Sequence, residues 1–213
     1  MMELTLIQKI TVSAIPIIFA ITVHEAAHGY VAKYFGDLTA EKMGRITLNP
    51  IKHIDMIGTI ILPALTLMLG GILFGWAKPV PVNFANLNNP KKDMLWVAAA
   101  GPASNFIMAI VWVLVLKYAN SAPESAAFFL LEMSKVGIMI NLVLMVLNLL
   151  PLPPLDGGRI AVSLLPMNIA VKFSQLERYG FIILIVLLFT GILGKIISPI
   201  IGFFGQLILS LFP

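Results

Sequence analysis

The chain has 213 residues, of which 59% are hydrophobic and only 11% charged, and its mean hydropathy is +0.98. A soluble domain carries roughly 25% charged residues, so the composition excludes an ordinary soluble protein and reads as a multi-pass integral membrane protein. The net charge of +4 does not point to nucleic acid, because the Lys and Arg residues fall in short loops between apolar runs, where they orient a membrane protein. Cysteine is absent, which excludes disulfides and thiolate metal ligands.

A helix needs roughly 20 apolar residues to cross a bilayer. The first qualifying run is 4–35; it lacks the basic start of a cleavable signal and is expected to remain in the protein. After a loop at 36–56, a sixth, ambiguous segment at 57–74 is interrupted by Gly58, Pro63, Gly70 and Gly71. The stretch Phe74 to Asn83 carries Pro79 and Pro81 at alternate positions, which forbids helix and predicts an extended ribbon. Such a ribbon could pair with an unwound substrate backbone by strand addition, making Trp76, Val80 and Val82 candidate substrate contacts. The plainer reading is a surface loop with Trp76 as an interfacial anchor.

Runs 95–118 and 127–150 predict two further spans, and 179–194 with 196–212 predict a short hairpin split at Gly194-Lys195. Residues 160–178 read either as a surface helix broken at Pro166 or as the start of another span. No stretch outside the membrane is long enough for a soluble accessory domain. The expected fold is therefore one all-α polytopic domain, 1–213. It has about five spans, a catalytic core at about 4–160 and a C-terminal hairpin at about 179–212.

His24-Glu25-Ala26-Ala27-His28 lies inside the first apolar run. Spacing of i and i+4 puts both imidazoles on one helix face, where they can grip a single Zn²⁺, and the Glu between them is placed as a general base. Two histidines packed on polar neighbours is the bland alternative, but ionisable groups at membrane depth are costly and mark function. A catalytic zinc takes three protein ligands. Asp156 stands out among the remaining acids because it follows a proline-broken helix end and precedes Gly157 and Gly158; taken alone, a plain Asp-Gly turn explains it as well.

Other polar residues have two readings each. Asn148 suits either an amide donor to a developing oxyanion or a helix–helix hydrogen bond. Asn105 could orient a ligand or substrate, or satisfy backbone groups beside Gly101 and Pro102. His53 reads as an interfacial or helix-capping histidine, Asn141 as a packing contact, and Gly191-x-x-Gly194 as a weak signal for close helix approach.

Together, His24-Glu25-x-x-His28, Gly101-Pro102-Ala103-Ser104-Asn105, and Asn148 with Leu155-Asp156-Gly157 resemble the site-2 protease family of intramembrane zinc metalloproteases. The likeness covers roughly residues 20–160 and looks like the minimal prokaryotic branch without a PDZ or CBS module. It implies His24, His28 and Asp156 as ligands of one zinc ion per chain, and Glu25 as general base on zinc-activated water. It implies that Asn148 steadies the tetrahedral intermediate. The implied partners are the lipid bilayer and a transmembrane or membrane-associated protein substrate, with a homo-oligomer compatible. A catalytically inactive binding protein of the same family would have lost a ligand or the Glu; a metal carrier would spread its ligands along a path.

Topology follows from two arguments. The histidines lie near the far end of the first span, so Asp156 joins them only if 57–74 dips into the membrane and returns. With that re-entrant reading, Lys33, Lys42, Arg45, Lys52, Lys78, Lys91, Lys92, Arg159, Lys172 and Arg178 share the side of the site, and Lys9, Lys117, Lys135 and Lys195 the other. The positive-inside rule then makes the side of the site cytoplasmic.

Overall fold

The computed structural model describes residues 5–62, 65 and 75–212. Helix α1 (Leu6–Tyr34) opens on a capping box: the Thr5 hydroxyl accepts the Gln8 N–H at 3.3 Å and the Gln8 side chain accepts the Thr5 N–H at 2.9 Å. This satisfies two N–H groups left over at the helix start. A short α2 (Thr39–Lys42), a 3₁₀ turn (Pro50–His53) and a π-helical turn (Met56–Ile61) follow. Asp55 caps the π-helical turn, its carboxylate accepting the N–H groups of Ile57 and Gly58. After a 3₁₀ turn at Phe84–Asn86 come α3 (Pro90–Ala119), α4 (Glu124–Asn148), α5 (Asp156–Leu164), α6 (Met167–Ser174), α7 (Glu177–Phe189) and α8 (Ile192–Ser210).

Among the described residues, four helices are long and apolar enough to cross a membrane: α1, α3, α4 and α8. The segment expected as a fifth span is the 13-residue α7, about 20 Å long against a hydrocarbon core of about 30 Å. The hairpin turns at Gly191, whose φ of 72° is left-handed, and not at Gly194-Lys195, which lie inside α8. Glycine takes that conformation at a helix end without Cβ strain; the polar Lys195 had suggested the later break. Residues 160–178 form the end of α5, all of α6 and the first two residues of α7, with the first break falling at Leu165-Pro166 as the proline requires.

α1 and α3 run antiparallel. His28 meets Val97, His24 meets Asn105, and Asn105 also reaches the carbonyl of Ala20, so residue numbers fall on one helix as they rise on the other. The chain therefore leaves α1 and enters α3 at the same end of the bundle, as the re-entrant reading requires. Most of the predicted re-entrant segment, residues 63, 64 and 66–74, lies outside the described residues. Its described flanks meet, the Trp76 N–H donating to Gly58 O at 3.0 Å. Helix α4 returns beside α3, and Ala109, Val113, Leu142, Met145, Val146 and Ile208 form a core shared by α3, α4 and α8. Ile18, Phe19, Ile107, Val111 and Phe203 are exposed, as lipid-facing positions should be, since lipid is as apolar as the side chains.

The predicted ribbon runs through residues 75–83 with no helix or strand assigned. It is tied down by side chains and loop carbonyls: the Lys78 N–H donates to His53 O at 2.9 Å, and the Asn83 N–H to Asp37 Oδ2 at 2.7 Å. Asp37 also accepts the Thr39 hydroxyl and N–H and the Asn86 amide. Burial works to raise the Asp37 carboxyl, but the Thr39 hydroxyl and the Asn83, Asn86 and Thr39 N–H donors outweigh it and hold it below its ordinary value.

Candidate metal centre

The helical periodicity of α1 stacks His24 and His28 on one face, both buried. Helix α5 begins at Asp156 and carries its carboxylate to them. His24 Nε2 and His28 Nε2 are 3.1 Å apart, and Asp156 Oδ2 lies 3.2 and 3.3 Å from them. The three atoms make a nearly equilateral triangle; zinc bonds of 2.0–2.2 Å in tetrahedral geometry imply ligand separations of about 3.4 Å. Among the described residues this trio is the group of His, Cys, Asp and Glu that could hold a metal ion.

Protonation sharpens the fit. His28 Nδ1 faces the Val97 carbonyl at 2.7 Å, and a carbonyl only accepts, so Nδ1 carries the hydrogen. His24 Nδ1 faces Asn105 Oδ1 at 2.6 Å in the same sense. In the neutral rings both Nε2 atoms then present lone pairs toward each other and toward a carboxylate oxygen. The buried Asp156 Oδ2 has no hydrogen-bond donor. Three electron-rich atoms converging without a donor are a cation site, and two imidazoles with one carboxylate suit zinc. Each ring is oriented by a hydrogen bond to its far nitrogen, as metal-binding histidines are.

Two glycine contacts let the helices come close enough. A Cβ on Gly101 would stand 2.5 Å from His24 Nε2 and His28 Nε2, so only glycine lets α3 cross the face of the trio. A Cβ on Gly157 would strike the Leu149 carbonyl, so the approach of α5 to the end of α4 also needs one.

The other residues singled out from sequence are placed as follows. Glu25 is half-buried one residue from His24 and accepts the Val80 N–H at 2.7 Å through Oε2. Asn105 is fully buried, and its amide also donates to Asn141 Oδ1 at 2.9 Å and Ala20 O at 3.2 Å. Its polar atoms are engaged inside the protein, so its position is that of a residue orienting His24. Asn141 in turn donates to Gly137 O at 2.8 Å, which makes the expected packing contact part of a polar relay. Asn148 donates to Leu144 O at 3.0 Å within its own helix. Buried His53 bonds Thr47 O at 2.9 Å and stands apart from the trio.

On the ribbon, Trp76 packs edge-on against Phe181 at 5.4 Å. Val80 is buried, its Cγ1 lying 3.1 Å from where a Cβ on Gly29 would sit. Val82 packs with Ala32, Leu87 and Val97. Both valine side chains therefore face the protein. Sequence reading missed the roles of Val97 and Gly101. Val97 acts through a carbonyl that no residue type announces; Gly101 was visible only as part of a motif.

A bundle of apolar helices around a His-His-Asp cluster whose two imidazoles are buried, with a glutamate beside it on the His-Glu-x-x-His helix, defines a membrane-embedded metallopeptidase. The chain belongs to Peptidase family M50, whose sequence profile matches residues 12–137 and 117–191, and it is a zinc metalloprotease of the site-2 type. It is 45% identical over 202 residues to YwhC of Bacillus subtilis strain 168, a candidate zinc metalloprotease, across 93% of this chain and 89% of YwhC. It is 33% identical to Rip2 of Mycolicibacterium smegmatis, also a candidate zinc metalloprotease, across 84% of this chain and 66% of Rip2. The zinc metalloprotease MJ0392 of Methanocaldococcus jannaschii is 29% identical across 68% of this chain and 32% of its own length. No solved structure matches the chain.

Proposed function

We propose that the protein hydrolyses peptide bonds within transmembrane segments of other proteins, near the cytoplasmic face, with His24, His28 and Asp156 holding the zinc ion. The observation that carries this reading is the trio itself: three ligand atoms within 3.1–3.3 Å of one another, on helices whose outer surfaces are apolar. Zinc bound there lowers the pKa of water toward about 7 and polarises a carbonyl.

The protein's own groups supply the rest. Glu25 takes the proton of the attacking water and returns it to the departing amine. Asn148 spends one amide hydrogen on Leu144 O and has a second for the developing oxyanion. Asn105 and the Val97 carbonyl hold the two imidazoles in one tautomer. A substrate helix shields its peptide bonds with its own hydrogen bonds, so cleavage needs a locally unwound segment, and the ribbon at 75–83 is the surface offered to it. The cytoplasmic assignment rests on ten basic residues on the side of the site against four on the other.

The test is cleavage of a panel of tagged single-span substrates by purified protein in liposomes, beside Glu25→Gln with zinc measured in both. Cleavage by wild type alone, at equal zinc, supports the reading. Equal cleavage by Glu25→Gln removes Glu25 as the base.

A further inference from the structure

Arg45 has no role in the chemistry described so far, yet it is 7% exposed. A buried guanidinium is costly unless paired, and among the described residues no carboxylate pairs with it. Its Nη2 donates instead to two successive ribbon carbonyls, Lys78 O at 2.9 Å and Pro79 O at 3.2 Å. The Pro79 carbonyl and the Val80 N–H are the two ends of one planar peptide group. That same N–H donates to Glu25 Oε2 at 2.7 Å. The connection runs from cation to carbonyl, across a rigid peptide, to the carboxylate beside the trio.

We propose that Arg45 is a positioning residue for Glu25, acting through the Pro79–Val80 peptide; this rests on the reading of Glu25 as the base. Two physical effects follow. Because the peptide is planar, fixing its carbonyl fixes the direction of its N–H, and so the position of the Glu25 carboxylate. A cation on the carbonyl also polarises the peptide and strengthens the N–H as a donor. The main chain at Arg45 is itself held: its backbone N–H donates to Ala40 O at 2.9 Å, which ties the base of the side chain to α2. The ribbon keeps its other attachments without Arg45, through His53 O and Asp37. Loss of Arg45 therefore loosens one peptide and leaves the bundle intact.

The test uses the full chain in liposomes with a cleavable single-span substrate. kcat, KM, zinc per chain and thermal stability are measured for wild type, Arg45→Gln, Arg45→Lys, Val80→Pro, the Arg45→Gln/Val80→Pro double variant and Glu25→Gln. Misplacing a catalytic group by about 1 Å costs on the order of 10²-fold. Arg45→Gln should therefore lower kcat by roughly 10- to 100-fold while KM, zinc and stability stay near wild type. Arg45→Lys, which keeps a cation at the carbonyls, should recover part of the loss. Val80→Pro deletes the N–H, and also fixes φ and trims the buried side chain, so it should lose kcat at least as much. The double variant should lose no more than the worse single one, because both act through one peptide.

Wild-type kcat in Arg45→Gln, multiplied losses in the double variant, a rise in KM alone, or loss of zinc in both Arg45 variants would each overturn the proposal. An active Glu25→Gln would remove the underlying reading as well. An inactive Glu25→Gln beside a fully active Arg45→Gln would sink this proposal alone.

Discussion

Replacing Gly101 with alanine separates fold from site more cleanly than removing a ligand. The added Cβ would stand 2.5 Å from His24 Cε1, His24 Nε2 and His28 Nε2, about 1 Å inside a normal contact distance of roughly 3.5 Å. These are the atoms that face the metal, so relief comes only by swinging the imidazoles or pushing α3 away. Either movement pulls His28 Nδ1 from Val97 O and His24 Nδ1 from Asn105. Losing such supports typically costs 10–100-fold in metal affinity, and a shift of about 1 Å on the order of 10²-fold in rate. Alanine is meanwhile the better helix former by about 1 kcal/mol, so secondary structure should survive. Gly202→Ala is the control, because a Cβ there meets nothing within 4 Å. Zinc affinity measured by competition with a chelator, alongside circular dichroism of both variants, reads the outcome. Gly101→Ala with wild-type zinc affinity and activity would refute the close crossing of α3 over the trio.

Asn105→Ala should weaken zinc by about 10- to 100-fold and leave Asn141 Oδ1 without its Asn105 donor, which chelator competition and thermal melting would register separately. Asp37 links pH to the ribbon. Its folded pKa is depressed, so its contribution is complete above the unfolded value near 4 and is lost as pH falls through the lower folded value. Hydrogen exchange at Asn83 and Thr39 should accelerate below about pH 4, and Asp37→Asn should abolish that step; an unchanged profile would contradict the anchoring role. Gly180→Ala should destabilise the docking of α7, because its Cβ would overlap the Pro153 carbonyl, and a lowered melting temperature with zinc retained is the expected reading.

Much of the centre was legible because helical periodicity alone places His24 and His28 together. Asp156 was different. Its 128-residue separation in the sequence from His28 is bridged by packing, and only the likeness to a family chose it over a plain Asp-Gly turn. The sequence leaves Asn105 either orienting a ligand or substrate or satisfying backbone groups beside Gly101 and Pro102. Its attachment to His24 depends on the register between α1 and α3, which neither helix encodes alone. Arg45 and Val80 were hidden for another reason: their bonds run through main-chain groups, and every non-proline residue has the same ones. The C-terminal turn was misplaced because charge at Lys195 is more conspicuous in a hydropathy pattern than a left-handed glycine four residues earlier.

The central claim is that His24, His28 and Asp156 hold one metal ion, and the measurement that addresses it is zinc content of the purified, folded chain beside Asp156→Ala. A catalytic zinc site takes three protein ligands, so wild type should carry about one zinc per chain and Asp156→Ala, at unchanged helical content, far less. Well-folded wild type without zinc, or Asp156→Ala with undiminished zinc, would contradict it.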